Sequence, residues 1–268
     1  MHDIHSVEHG GEVATYIPEL GNANPDEFGI CLTSVSGQTF EVGATATAFT
    51  IQSISKPLLF AMALDEHGRD AVLRKVGVEP TGEAFNAIVL DEATNRPFNP
   101  MVNAGAIATC ALIGGANTAE RWQRVLDTFS RAAGQTLRRD DVVYESERAI
   151  MGATLANLGT NPITGEEVFG IDAVRDTLSV MLTCGMYDYS GEWVFRVGVP
   201  AKSGVSGGVL GVVNRQLGMG LYSPRLDHRG NSVRGVRACV DIAAELGLHA
   251  FDFLNHGSAF LQSLDDAS

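Results

Sequence analysis

Two β-rich stretches stand far apart in this chain with helical patterning between them, and this limits the possible folds more than any other feature. Phe28–Val35 and Thr39–Val42 are runs of β-formers joined by Ser36-Gly37-Gln38, which predicts a hairpin. Downstream, Trp193–Val199, Gly204–Val213 and Leu217–Tyr222 are short β-branched or aromatic runs between turns. The intervening pattern is helical. It includes Ser53–His67 (ended by Gly68), Asn103–Ile113, and Thr118–Ala133 with Trp122, Val125, Leu126 and Phe129 on one face. Glu145–Leu158 and Asp172–Cys184 follow, parted by the breaker-rich Gly159–Pro162, and Ser232–Leu246 closes the chain as an amphipathic helix. Strands at both ends with helices between imply an α+β protein whose single sheet draws on both termini. One domain, 1–268, is expected, with an all-helical subdomain over about 69–190.

The 268 residues, 45% hydrophobic, suffice for a sizeable core, and no apolar run is long enough to cross a membrane. The polar, acidic start lacks the basic and apolar regions of a signal peptide, so a cytoplasmic protein is expected. A net charge of −13 disfavours nucleic acid and anionic membranes and leaves a small molecule as the expected partner. Cys31, Cys110, Cys184 and Cys239 are widely spaced in apolar stretches without a CxxC pair and read as reduced core thiols. The histidines form no HExxH, and neither a metal nor a cofactor is expected.

The cations are distributed unevenly. Sixteen are arginines, and the only lysines are Lys56, Lys75 and Lys202. An ammonium can give up its proton where a guanidinium cannot, so a lysine kept in an arginine-rich chain suits a proton-transfer role. Gln52-Ser53-Ile54-Ser55-Lys56 contains an SxxK tetrad. Pro57 must lie in the first helical turn, which puts Ser53 at or next to the helix N-terminus. At i and i+3 the two side chains share a face, where a neutral Lys56 can take the proton of Ser53 as Ser53 attacks a carbonyl. Lys202-Ser203-Gly204, where a strand follows a loop, is similar to the KTG or KSG strand that faces such a serine in penicillin-recognising enzymes. A second cation there opposes protonation of Lys56, and the amides of Val205 and Ser53 can form an oxyanion hole. Gly204–Gly208 also matches GxSxG, but that motif needs a helix after its turn, and a strand follows here.

These motifs belong to a longer resemblance. FTIQSISKPLLFA (49–61), RPFNPMVNAGAI (96–107), ESE (145–147), GATLANLGTNPITGE (152–166), CGMYDYSGEW (184–193) and VGVPAKSGVSGG (197–208), with Tyr16-Ile17-Pro18 upstream, resemble the serine-dependent glutaminases of the β-lactamase-like superfamily. The resemblance implies a β-lactamase-like fold and hydrolysis of L-glutamine to L-glutamate and ammonia through an acyl-enzyme on Ser53. It makes Lys56 the base and has Tyr187 pass the proton to the leaving ammonia with help from Lys202. Val205 becomes a backbone donor to the carbonyl oxygen. Tyr16, Asn103 and Glu147 hold the substrate's charged ends, a division of labour that suits a zwitterion. A homo-oligomer, dimer or tetramer, is implied as well. Two other readings share the scaffold: a β-lactamase-like or esterase-like Ser–Lys hydrolase, and a catalytically impaired paralogue with a binding role.

The chain departs from that family in one region. Glu147 stands only eight residues before Leu155, Thr154 falls where the family has a substrate-contacting asparagine, and no tyrosine lies between Tyr144 and Tyr187. The helical subdomain is therefore expected to be shortened after Glu147, with a more open pocket.

Overall fold

The computed structural model describes residues 10–16, 20–82, 86–137 and 145–252, the side chains of 145–148 excepted. In chain order the elements are β1 (Glu12–Val13), β2 (Gly29–Ser34), β3 (Thr39–Gly43), α1 (Ser55–His67), α2 (Arg69–Leu73), α3 (Asn103–Cys110), α4 (Thr118–Ala133), α5 (Glu145–Ala156), α6 (Ile171–Cys184) and α7 (Ser190–Arg196). Then follow β4 (Ala201–Gly204), β5 (Gly208–Val213), β6 (Leu217–Tyr222), β7 (Arg225–Leu226) and α8 (Val233–Leu246). Five strands form one antiparallel sheet in the order β3-β2-β6-β5-β4, and β1 pairs with β7 in a separate ribbon. The junction between the two ends of the chain is β2 against β6, with Leu32 opposite Met219. The expected sheet built from both termini is what forms.

Side chains alternate across this sheet. Leu210 and Val212 of β5 pack with Leu58, Phe60, Met151 and Leu155 on the side of α1 and α5, whereas Val209 and Val213 pack with Ala238 and Cys239 of α8 on the other. Covered on both faces, β5 is buried throughout and reads as a continuous apolar run. Helix α1 is likewise buried from Lys56 to Leu64, so it has no solvent face. Each large apolar side chain sealed here, such as Leu58 or Phe60, stabilises the fold by about 1.5–3 kcal/mol.

Three local expectations give way. Trp193–Val199, expected as a strand, begins inside α7: Glu192 and Arg196 pair at i, i+4, and the Trp193 indole donates to Val199 O at 2.6 Å, turning the chain back on itself. Trp122 is 47% exposed, because α4 buries only its C-terminal end at Thr128, Phe129, Ala132 and Ala133. Cys110, at the end of α3, is exposed, while the other three cysteines are buried. The described residues between α2 and α3 are irregular, held by turns such as that in which Asn95 N donates to Asp91 O.

Helix α5 and strand β6 come into direct backbone contact. A Cβ on Gly218 would lie 2.1 Å from Ala153 N and 2.3 Å from Ala149 O, and one on Gly152 would lie 3.0 Å from Gly211 O. Glycine on both partners lets the helix backbone rest directly on the sheet. Gly218→Ala is therefore expected to lower stability by at least about 1–3 kcal/mol. Gly191→Ala, whose Cβ meets nothing within 4 Å, should leave stability unchanged or slightly raised. Urea unfolding of the two variants checks the contrast, and equal effects would contradict direct backbone contact.

Candidate active site

Ser53 lies in a single 3-10 turn, Gln52–Ile54, that runs straight into α1. Pro57 is the third residue of α1, inside its first turn, where its missing N–H is harmless. Gln52 adopts a left-handed backbone (φ 45°), and so does Tyr187 (φ 54°) at the turn after α6. An aromatic residue in that region costs on the order of 1–3 kcal/mol, and such strain collects where geometry serves function. Ser53 and Tyr187 are joined by a hydrogen bond. The Tyr187 hydroxyl donates to Ser203 O at 3.0 Å, so its oxygen remains to accept from Ser53.

The two lysines arrive from different elements. Lys56 is on the second residue of α1; its Nζ donates to Asn103 Oδ1 at 2.6 Å and to Met101 O at 3.2 Å. Lys202 is on β4, fully buried, and donates to Gly185 O at 3.0 Å and Ser203 O at 2.7 Å, with its Nζ 4.2 Å from the centre of the Tyr187 ring. Gly185 must be glycine, since a Cβ there would lie 1.6 Å from Ala201 O. Neither lysine has a carboxylate partner among the described residues. Burial lowers the pKa of Lys56 to about 8. It lowers that of Lys202 much further, and the nearby Lys56 adds to the effect. Burial also pushes the Tyr187 phenol well above its usual range, so it is a neutral donor at pH 7.

Val205 opens the turn between β4 and β5, which is closed by Gly207 N donating to Gly204 O at 2.9 Å. The Val205 amide meets no backbone acceptor among the described residues. Its side chain packs with Ala14, Tyr187 and Leu226. Tyr16 is 66% exposed and lies near enough to Tyr187 to disfavour a second phenolate. Glu147 falls in the first turn of α5, and its side chain lies outside the described residues; so do Ile17 and Pro18. The serine of the GxSxG match, Ser206, sits in a strand-to-strand turn, which removes the context of a nucleophile elbow. Among the described residues no group of three or more His, Cys, Asp or Glu gathers as a metal site needs.

The structure thus brings together Ser53, Lys56, Asn103, Tyr187, Lys202 and Val205. No hydrogen bond joins Ser53 to Lys56 among the described residues: the serine faces Tyr187, and the amine faces Asn103. Met101 O, Gly185 O and Ser203 O, which hold the amines, were not singled out from the sequence, because a carbonyl's direction leaves no mark on its residue type. The one available signal was Gly185 beside Cys184 and Tyr187. Asp188 was also missed. It lines two open cavities, one of about 530 Å³ shared with Tyr187 and one of about 820 Å³ shared with Tyr16 and Val205.

An antiparallel sheet from both termini, a helical insertion and a serine–lysine–tyrosine corner between the start of α1, the turn after α6 and the edge strand β4 define a β-lactamase-like protein. A family model described as Glutaminase matches residues 11–150 and 148–251. A glutaminase of Nostoc sp. is 47% identical over 304 aligned residues, covering 96% of this chain and 91% of that protein. A glutaminase of Microcystis aeruginosa is 48% identical over 295, covering 94% and 87%. Among solved structures, Mglu in its native form superposes with a TM-score of 0.88 at 39% identity, over 93% of this chain and 71% of Mglu. The probable glutaminase ybaS also gives 0.88, at 35% identity over 92% and 94%. The chain belongs to the glutaminase family.

The Nostoc relative also differs from this chain in length. The Nostoc alignment is 304 positions long against 268 residues here, so at least 36 of its positions have no residue in this chain. The two pieces matched by the family model abut at 148–150, the place the motif spacing had marked.

A base with a pKa of about 8 is mostly protonated at pH 7, and its reactive neutral fraction grows as pH rises. Acylation of Ser53 by a fluorophosphonate reagent is accordingly expected to accelerate with pH and level off above about 8. A rate flat between about pH 6 and 10 would contradict a lysine base.

Proposed function

We propose that the chain hydrolyses L-glutamine to L-glutamate and ammonia through an acyl-enzyme on Ser53. The observation that carries this reading is the buried corner itself, Ser53 on Tyr187 and Lys56 on Asn103, in a chain 47% identical to a glutaminase. Neutral Lys56 takes the Ser53 proton as Oγ attacks the side-chain amide carbon. The carbonyl oxygen, as it gains charge, accepts from the Val205 amide. Tyr187 gives its proton to the departing nitrogen, and ammonia leaves. Water then opens the ester with the proton transfers reversed, releasing glutamate and restoring Ser53.

Lys202, held neutral between carbonyls, positions the Tyr187 ring without adding a charge that would hold Lys56 protonated. Asn103 spends only its carbonyl oxygen on Lys56, so its amide nitrogen is left to donate to substrate. The family resemblance supports Tyr16 and Glu147 as the other contacts to the amino-acid end. It also supports one catalytic unit with a helical subdomain over about 69–190, a homo-oligomer (dimer or tetramer) and a cytoplasmic location. No helix among the described residues is long and apolar enough to cross a membrane.

Ammonia release from glutamine is expected in the intact chain and should fall at least about a thousandfold in Ser53→Ala. Lys56→Arg should be as inactive, since a guanidinium cannot accept the proton. Coupled glutamate-dehydrogenase assays read both. No release from the intact chain would overturn the reading, and nitrocefin turnover in its place would favour a β-lactamase-like hydrolase.

A further inference from the structure

Tyr187 keeps its left-handed backbone in a turn that one side chain closes from both ends. The hydroxyl of Ser190, the buried first residue of α7, accepts from Met186 N at 3.0 Å and donates to Tyr187 O at 2.8 Å. Tyr187 O also accepts from Ser190 N, and Asn231, fully buried, donates from Nδ2 to Met186 O at 3.3 Å. Among the described residues the Met186 amide has no backbone acceptor, and Met186 is fully buried. Without the Ser190 hydroxyl that amide would be left unpaired in the interior, a state that folded chains relieve by moving the backbone.

What this turn aims is the phenol. It sends the Tyr187 ring back from the end of α6, so that the hydroxyl donates to Ser203 O at 3.0 Å and bonds to Ser53, with Lys202 Nζ 4.2 Å from the ring centre. Glycine or asparagine would take up such a backbone more readily, but neither carries a phenol, so the hold has to come from a neighbour. Left- and right-handed backbones differ by about 120° in φ, and relaxation between them would swing the ring off Ser53. A proton donor works only within hydrogen-bond reach of the atom it serves. No hydrogen bond of the Ser190 side chain reaches Ser53, Lys56 or Lys202 among the described residues, so its influence runs through the backbone of Tyr187.

Resting on the proposed role of Tyr187 as proton donor to the leaving nitrogen, we propose that Ser190 is a positioning residue for the reaction, its hydroxyl holding Tyr187 in the left-handed backbone that keeps the phenol on Ser53. Ser190 itself moves no proton to or from the substrate. Its loss therefore weighs on the departure of ammonia, which needs the Tyr187 proton, and not on the attack by Ser53, which needs Lys56 and the Val205 amide.

The test sets two rates side by side in Ser190→Ala: glutamine turnover, whose leaving nitrogen must be protonated, and labelling of Ser53 by a fluorophosphonate, whose fluoride leaves as an anion. In that labelling the Oγ–P bond forms, the P–F bond breaks and Lys56 keeps the serine proton. For glutamine, kcat is expected to fall at least about thirtyfold with KM within about threefold of the intact chain's, while the labelling rate stays within about threefold. Tyr187→Phe should show the same split. Ser190→Thr, which keeps the hydroxyl, should hold kcat within about fivefold. Equal loss of both rates in Ser190→Ala, undiminished kcat there, or a Ser190→Thr as impaired as Ser190→Ala would overturn the proposal and leave the glutaminase reading standing. Undiminished kcat in Tyr187→Phe would instead remove the proton-donor role on which the proposal rests, and the proposal with it.

Discussion

Lys202 is sealed in protein with, among the described residues, only the carbonyls of Gly185 and Ser203 for its amine, and Lys56, three residues from Ser53, is almost as deeply set. Two ammonium groups so placed, without a carboxylate between them, would repel each other in a medium that solvates neither well. The relief is loss of protons, which turns a packing problem into a supply of neutral base near physiological pH. Much of the surrounding architecture keeps this corner dry and aligned. Helix α1 is buried from Lys56 to Leu64, so that Lys56 enters from the interior, and β4 packs against the turn that bears Ser53. Gly185 allows the end of α6 to come close enough to β4 to present its carbonyl.

Glycine makes the scaffold rigid in a second place. Gly152 and Gly218 let α5 lie on the sheet at backbone distance, so the helix is fixed to the sheet by backbone contacts from Ala149 to Ala153. The core held in this way superposes on a solved relative with a TM-score of 0.88. The chemistry and the sheet belong to one cooperative core.

Much of this was legible in the sequence because it rests on side-chain type and periodicity. The hairpin of β2 and β3, α1 with its terminating Gly68, α4, α6 and α8 all follow from pattern, and lysine scarcity pointed to the two buried amines, Lys56 on Asn103 and Lys202 on Tyr187. The segment around Trp193 was misleading because aromatic and β-branched residues favour strands, whereas an i, i+4 ion pair and the indole hydrogen bond settle it as helix. Trp122 was expected on a buried face, but periodicity marks a face without saying how far along it a neighbour extends. The hydrogen-bond pairing inside the site was not legible. That Ser53 faces Tyr187 and Lys56 faces Asn103 depends on where carbonyls and loops converge in three dimensions.

With only Lys56, Lys75 and Lys202 in the chain, nitrogen-15 labelling of lysine gives a three-signal side-chain spectrum in which protonation of the two buried amines is directly visible. Lys75→Arg removes the signal from the lysine outside the site. The account predicts that one remaining signal passes from ammonium to amine near pH 8 and that the other is already an amine at that pH. Two ammonium signals persisting above about pH 9 would contradict it, because the corner would then hold no neutral base for Ser53.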